Sequence, residues 1–247
     1  MSKEIVLVTP RVGFINVAKP SKITTLSGAE KNVCGLEKGQ FSSLVFSGYK
    51  RPECEQAYDY IQMIPYIILR VIDQETGVTT YLTYKRGKKG AENKLHDKYS
   101  VGVGGHISVN DFVIQGSEGD HVELQTNGDS LAIVVRELIK EIQEETGFDI
   151  TSKLSHGDLN RIVLEATPFY LDEGPDSVNS YHFALPIAIN VNGFADSFIS
   201  NEPGIIEKLS FKTLAELEEL AKEGKLEAWS DIVLRNFIPL VIDPVVR

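Results

Sequence analysis

The sequence contains few cysteines and no long apolar run. Two cysteines, Cys34 and Cys54, occur among 247 residues, and their separation matches no metal-binding spacing. Both are expected to be reduced thiols of a cytoplasmic protein. No apolar stretch reaches the roughly 20 residues that span a bilayer. The opening Met1-Ser2-Lys3-Glu4 is not typical of a signal peptide. These absences argue against the secreted disulfide-rich and membrane-spanning classes.

Basic residues are also fewer than acidic residues. The chain has 25 Lys and Arg against 35 Asp and Glu, for a net charge of −10. No basic stripe is present, which argues against a nucleic-acid partner. Hydrophobic residues at 42% and charged residues at 24% are typical of a globular protein. The length allows one large domain, or one domain with an added subdomain.

The strongest local pattern is an acidic helix before Gly147. Apolar residues recur at helical spacing: Leu131, Val134, Val135, Leu138 and Ile142. Asp129 or Ser130 can supply the N-cap oxygen, and Gly147 is a natural C-terminal stop. At about 100° per residue, Glu141, Glu144 and Glu145 form a stripe beside the apolar face.

This stripe of carboxylates favours a bound cation. Like charges at helical spacing repel one another, and a carboxylate that leans toward the core loses hydration. A hard divalent cation such as magnesium relieves both costs because it prefers oxygen ligands. A solvated acidic face is the alternative, and it is the commoner explanation for such a run taken alone.

Two short segments together resemble the Nudix hydrolases. One is Val103-Gly104-Gly105-His106-Ile107, and the other is Lys140-Glu141-Ile142-Gln143-Glu144-Glu145-Thr146-Gly147-Phe148. The family's box reads G-x5-E-x7-R-E-U-x-E-E-x-G-U, where U is aliphatic or aromatic. The resemblance covers residues 66–237. It implies an α/β fold, a Nudix-type α/β/α sandwich with a mixed sheet.

The resemblance also implies a magnesium site, in which Mn²⁺ can substitute for Mg²⁺. The family's metal ligands correspond to Glu141, Glu144 and Glu145, together with the backbone carbonyl of Gly104. Lys140 matches the arginine that orients the helix end. The resemblance therefore marks Glu144, Glu145 and Lys140 as catalytic.

Substrate contacts are expected around the glycine pair and the preceding hairpin. Gly105 matches an invariant glycine of the family, and His106 follows it. Arg86 comes at the end of a strand that borders the substrate in the family, and a guanidinium pairs well with phosphate oxygens. The implied substrate is a small molecule, a nucleotide or nucleotide-sugar diphosphate. The resemblance allows a homodimer.

The chain departs from the family's box in two places. Lys140 keeps the charge of the family's arginine but not its planar fork. The spacing from Gly105 to Lys140 is too long, and the excess falls at about residues 108–129. We interpret this segment as an inserted loop or hairpin at the mouth of the site. A register that uses Arg136-Glu137-Leu138 restores the arginine. It is rejected because Lys140 and Gln143 then replace a glutamate and a glycine.

The remaining pattern divides the chain at about residue 58. Residues 1–58 are predicted to be an N-terminal extension or subdomain of unknown role, with a short strand at 43–46. Residues 59–247 are predicted to form the Nudix domain. Its predicted strands are 64–72, 80–86, 99–103, 161–170 and 180–191, with a turn at Gly77 between the first two. Two predicted helices follow, at 213–223 and 228–237.

Three functions are compatible with these motifs. The first is magnesium-dependent hydrolysis of a phosphoanhydride in a nucleoside diphosphate linked to another group. The second is a non-catalytic Nudix module that binds a nucleotide to regulate a partner. The third is prenyl-diphosphate isomerisation, for which neither Cys34 nor Cys54 lies in the expected place.

Overall fold

A computed structural model describes residues 4–87, 96–112, 119–124, 130–152, 154–191, 206–237 and 241–242. Its helices are α1 (Arg11–Val17), α2 (Arg51–Cys54), α3 (Ser130–Thr146), α4 (His156–Glu165), α5 (Leu214–Lys222) and α6 (Ala228–Asn236). Its strands are β1 (Ile5–Pro10), β2 (Lys19–Thr24), β3 (Glu30–Gly35), β4 (Ser47–Lys50), β5 (Tyr60–Ile72), β6 (Thr79–Arg86), β7 (Tyr99–Ser100), β8 (Gly102–Val103), β9 (His121–Val122), β10 (Phe169–Tyr170), β11 (His182–Asn190), β12 (Ile206–Thr213) and β13 (Val241–Ile242). Among the described helices, none has the length and apolarity needed to cross a membrane.

The described strands join in one mixed sheet. Its main order is β2-β3-β10-β11-β5-β1-β4-β9, and β6, β7, β8, β12 and β13 attach beside this path. The central strands β5 and β11 are parallel, with His182 beside Gln62 and Asn190 beside Arg70. The neighbouring pairs of β5 with β1, β6 and β8 are antiparallel. The predicted mixed α/β fold is therefore confirmed.

Helices cover both faces of this sheet. Successive side chains of β5 point to opposite faces, and on each face they are buried against helices. Met63, Ile67 and Leu69 pack in one cluster with residues of α3 and α4. Tyr66 and Ile68 pack in a second cluster with residues of α5 and α6. The sheet thus lies between two helical layers, as the α/β/α prediction requires.

The hairpin predicted before the glycine pair is present. β5 continues to Ile72 and pairs antiparallel with β6. In the turn, the Asp73 carboxylate accepts hydrogen bonds from the backbone N–H groups of Glu75 and Thr76. Gly77 adopts φ 69°, a left-handed conformation that favours glycine. The third predicted run, at 99–103, forms the two short strands β7 and β8.

The strand predicted at 161–170 is wrong over most of its length. Residues His156–Glu165 form α4, and only Phe169–Tyr170 is strand. Ser155 and Asp158 form a reciprocal capping box that starts the helix. The buried Leu159, Ile162 and Val163 then follow helical spacing. A β-branched run was therefore misinterpreted because its N-terminal cap was overlooked.

Most of the other predicted helices and strands are confirmed, but one strand is not. α3, β11, α5 and α6 agree with the helices and strand predicted at these places. The strand predicted at 43–46 is wrong, because residues Gln40–Ser43 form a 3₁₀ turn and the strand begins at Ser47. Ser130 is the first residue of α3, and the alternative cap Asp129 lies outside the described residues.

Residues of the predicted N-terminal extension contribute strands on both sides of the central pair β5 and β11. β1 pairs with β5, whereas β3 pairs with β10. The described part of the predicted insertion lies against the same extension, since β9 pairs with β4 and the Asn110 side chain accepts from the Ile5 N–H. The domain boundary at residue 58 stays a prediction.

Candidate functional site

The three candidate glutamates lie on the last two turns of α3. Leu138 and Ile142 fix the orientation of this helix, since both are fully buried. Glu141 and Glu145 are partly buried, and Oε2 of Glu145 is shielded from solvent. Glu144 is exposed, with 53% of its side-chain surface accessible. The helix ends at Thr146, and Gly147 follows with φ 69° and donates its N–H to the Gln143 carbonyl at 2.9 Å.

The glycine loop, residues 102–105, approaches both β5 and α3 closely. A Cβ on Gly104, which has φ 156°, would lie 1.8 Å from the Pro65 carbonyl oxygen. A Cβ on Gly105 would lie 2.7 Å from Oε2 of Glu141. The structure therefore brings the Glu141 carboxylate against the backbone of the glycine pair. Only glycine fits at position 104, whereas a Cβ at position 105 would displace the Glu141 carboxylate.

Glu145 acts electrostatically on Tyr84, which contacts the glycine loop. The Tyr84 hydroxyl donates to the Gly102 carbonyl oxygen at 3.0 Å. Burial raises the pKa of Tyr84 above its ordinary value, and the negative charges of Glu145 and Glu227 raise it further, against the opposing effect of Arg86. Tyr84 therefore stays protonated as a donor to the glycine loop.

The donor chemistry of this region fits a hard cation. Carboxylate oxygens of Glu141 and Glu145 and the carbonyl of Gly104 are the ligand types that magnesium prefers. Over the described ranges, no group of three or more His, Cys, Asp or Glu side chains is gathered as a metal cluster. Magnesium commonly binds one or two carboxylates and takes its remaining ligands from substrate phosphates and water. The missing Cβ of Gly105 lets the Glu141 carboxylate approach the glycine loop.

Lys140 pairs with acids of its own helix. Its Nζ lies 3.4 Å from Oε2 of Glu137 and 3.7 Å from Oε2 of Glu144. Partial burial lowers the pKa of Lys140, but the nearby charges of Glu137, Glu144 and Glu141 outweigh this and raise it. Lys140 therefore stays cationic and reduces repulsion among the glutamates.

The sequence interpretation gave no role to Glu137 and Arg136, because it rejected the register that uses them. Glu137 is only 2% exposed, and its Oε1 lies 2.8 Å from the Arg136 guanidinium. The position of Glu137 on the acidic side of the predicted helix was the available signal. It was set aside because the register that uses these two residues misplaces the rest of the box.

Arg86 is held by a buried carboxylate. Its Nε donates to Oε2 of Glu227 at 3.0 Å, and 30% of its side chain is exposed. Oε1 of Glu227 accepts from the hydroxyls of Tyr66 and Ser100, each at 2.5 Å. Glu227, which no sequence pattern indicated, thus links α6 to the strands that precede the glycine loop. A phosphate contact by Arg86 stays a prediction, and the neighbouring Lys88 and Lys89 lie outside the described residues.

His106 contacts His182 rather than an acid. Nδ1 of His182 donates to the Val178 carbonyl at 2.9 Å, so its Nε2 accepts from Nε2 of His106 at 3.1 Å. Burial lowers the pKa of His106 to about 3, and the charges of Arg51 and His182 act in the same direction. Burial also lowers the pKa of His182, although the hydrogen bond to the Val178 carbonyl and the charge of Glu55 oppose this. Both rings are therefore neutral at neutral pH.

This histidine pair predicts loss of stability in mild acid. The folded-state pKa of His106 lies below its unfolded value of 6.5, so between these values the unfolded chain binds a proton that the folded chain does not. We expect the free energy of unfolding to fall by about 1.4 kcal/mol per pH unit for one such proton. The dependence fades over about one pH unit above 6.5, where the unfolded histidine loses its proton. Urea unfolding between about pH 7 and pH 5 measures the slope. An unchanged slope in His106→Asn would contradict the assignment.

Comparisons with known proteins support the fold. The sequence matches no family model. Protein YmaB of Bacillus subtilis (strain 168) is 25% identical over 185 residues, which span 75% of this chain and 75% of that protein. The crystal structure of Tm1382, provisionally described as a Nudix hydrolase, matches with a TM-score of 0.52 and 19% identity. That match covers 92% of this chain and 94% of Tm1382.

A looser overlap is found with a NUDIX hydrolase from Alicyclobacillus acidocaldarius. Its TM-score is 0.41 at 10% identity, over 71% of this chain and 90% of that one. This overlap adds no weight, and the conclusion depends on the nearly full-length match to Tm1382. The chain therefore has a Nudix-type fold.

Proposed function

We propose that the protein is a magnesium-dependent hydrolase that cleaves a phosphoanhydride in a nucleoside diphosphate linked to another group. The observation that carries this proposal is the close approach of Glu141 to the glycine loop. Oε2 of Glu141 lies 2.7 Å from the position that a Cβ on Gly105 would occupy. Glu145 lies one turn further along the same helix, with Oε2 shielded from solvent. Two carboxylates beside a backbone that admits no side chain are suited to a cation and a phosphate.

In this proposal Glu141, Glu145 and the Gly104 carbonyl would hold the metal, and Glu144 acts as the base. When bound, Mg²⁺ screens the charge of the diphosphate and lowers the pKa of a coordinated water. The chain's own residues do the rest. Glu144, the most exposed of the three acids, accepts the proton that the attacking water loses, and Lys140 orients the Glu144 carboxylate from 3.7 Å.

Substrate binding is assigned to the elements around the loop. Gly105 has no side chain that would keep a phosphate away from its backbone. Arg86 contributes a cationic side chain that Glu227 orients through Nε. His106, neutral and fixed by His182, shapes the wall of the loop. The proposed substrate is a nucleotide or nucleotide-sugar diphosphate.

Neither cysteine favours the isomerase alternative. Cys54 is fully buried, and burial raises its pKa to about 12, so the thiol is not ionised at neutral pH. Burial also raises the pKa of Cys34, followed by the charge of Asp172. Cys34 lies on β3 and pairs with Tyr170 of β10, not with the glycine loop.

The proposal is tested with the full chain and a panel of nucleoside triphosphates, dinucleoside polyphosphates and nucleotide sugars. We expect Mg²⁺ to support release of a nucleoside monophosphate or phosphate from at least one of these, and EDTA to abolish it. In ¹⁸O-labelled water the label should enter one phosphoryl product. Saturable nucleotide binding without turnover would instead identify a regulatory module. Isomer interconversion of a prenyl diphosphate without hydrolysis would identify the isomerase.

A further inference from the structure

Arg136 connects the acidic helix to the chain that follows the glycine pair. One terminal nitrogen of its guanidinium donates to the Ser108 carbonyl oxygen at 3.2 Å, and Ser108 lies three residues after Gly105. Its Nε donates to Oε1 of Glu137 at 3.0 Å. The guanidinium also lies over the Phe112 ring, 4.6 Å from the centroid. One side chain thus joins α3 to two points of the segment 108–112.

The buried carboxylate of Glu137 fixes the orientation of this guanidinium. Glu137 is 2% exposed, and it accepts from Arg136 through Oε1 and from Lys140 through Oε2. A buried carboxylate is costly unless it is paired and hydrogen-bonded. Glu137 therefore holds Arg136 in place, and the fork of Arg136 still reaches Ser108.

The Ser108 carbonyl is presented to Arg136 by its pairing with β1. The Leu7 N–H donates to the Ile107 carbonyl, and the Val109 N–H donates to the Ile5 carbonyl. Successive carbonyls of an extended chain point in opposite directions. Because the Ile107 carbonyl faces β1, the Ser108 carbonyl faces away from it, toward α3. The segment is thus held by β1 on one side and by Arg136 on the other.

We propose that Arg136, clamped by Glu137, is the positioning residue that fixes the glycine loop relative to the glutamates of α3. Lys140 pairs with Glu137 and Glu144 on its own helix, so it orients an acid rather than the loop. The consequence for catalysis depends on the proposed function, in which Glu141 and the Gly104 carbonyl are ligands of the cation. The contacts that join Arg136 to the segment 108–112 do not depend on the proposed function.

Lysine cannot replace this arginine. The guanidinium bonds the Ser108 carbonyl and the Glu137 carboxylate at the same time, and it stacks on Phe112. An ammonium offers a compact charge without the planar fork or the stacking face. Arg136→Lys should keep the charge balance around Glu137 and lose the tether to the loop.

Amide hydrogen exchange tests the tether directly. In Arg136→Lys and Arg136→Gln, the amides of Leu7 and Val109 should exchange roughly tenfold faster, as expected on loss of one charged hydrogen bond. The matched control is Lys140→Gln, which removes the other cation from Glu137 and should leave both amides at the parental rate. Arg136→Lys serves as the test if Arg136→Gln does not fold. Parental exchange in Arg136→Lys, or equal acceleration in Lys140→Gln, would overturn the proposal.

Metal dependence separates a positioning role from general destabilisation. In Arg136→Lys the Mn²⁺ concentration for half-maximal turnover should rise by about 10–100-fold, with kcat restored at saturating metal. If Arg136 were merely structural, the variant would contain less active enzyme at every metal concentration, and the Mn²⁺ concentration for half-maximal turnover would not change. That result would overturn the proposed effect of Arg136 on catalysis. If the parental chain turns over no substrate in the panel, the proposed function is wrong, but the positioning role of Arg136 is not thereby refuted. Amide exchange still tests whether Arg136 holds the segment 108–112.

Discussion

Replacing Glu145 with glutamine is expected to lower kcat by roughly a thousandfold, because a metal ligand contributes several kcal/mol of charge stabilisation in the transition state. Glutamine keeps the shape of the side chain and loses its negative charge. Oε2 of Glu145 is shielded from solvent, so this charge is poorly screened by water and acts strongly on a nearby cation. The same shielding means that the neutral variant should fold at least as stably as the parent.

A matched substitution controls for the loss of a carboxylate. Glu219 is exposed on α5, away from the glycine loop, so Glu219→Gln makes the same chemical change outside the site. Steady-state turnover with Mg²⁺ should be parental in Glu219→Gln and nearly abolished in Glu145→Gln, with equal urea midpoints. Turnover in Glu145→Gln within about threefold of the parent would refute the assignment, because a ligand cannot contribute so little.

Replacing Gly104 with alanine is expected to lower the free energy of unfolding by more than about 4 kcal/mol, which few single substitutions do. The new Cβ would lie 1.8 Å from the Pro65 carbonyl oxygen. That atom belongs to the backbone of the central strand β5, so it cannot move aside as a flexible side chain can. The φ of 156° at Gly104 also disfavours alanine.

Gly28 offers a control that separates the collision from the backbone conformation. Its φ is 89°, and no atom lies within 4 Å of a Cβ built on it. Gly28→Ala should therefore cost about 1 kcal/mol, from the strained conformation alone. Urea unfolding of the two variants measures the difference. Equal destabilisation would mean that the glycine loop does not lie against Pro65 as described.

The sequence predicted those parts of the fold in which local pattern and packing agree. The apolar spacing through Leu138 and Ile142 predicted α3, and the turn residues around Gly77 predicted the β5–β6 hairpin. Both depend on neighbours close in sequence. The helix α4 was missed because Ile162 and Val163 also favour strands, and only the Ser155 cap decides between the two.

Contacts between distant segments could not be predicted. Arg86 was expected at the substrate, but its Nε is held by Glu227, 141 residues later in the chain. Likewise, Arg136 meets the Ser108 carbonyl across a segment of the chain that the box spacing marks as inserted. Neither Glu227 nor Ser108 could be recognised as such a partner from its neighbours in the sequence, because a single buried contact produces no repeating pattern. Such pairings depend on the sheet order, which one sequence does not specify.

The most direct test of the magnesium site is an anomalous difference map from crystals of the full chain soaked in manganese chloride. The proposed function predicts a peak beside Gly104, with carboxylate oxygens of Glu141 and Glu145 at about the 2.1 Å expected for such a metal. The Glu145→Gln variant, soaked in the same way, should lose or weaken the peak. A map with no peak there, and with Glu141 turned away from Gly105 into bulk water, would contradict the proposed site.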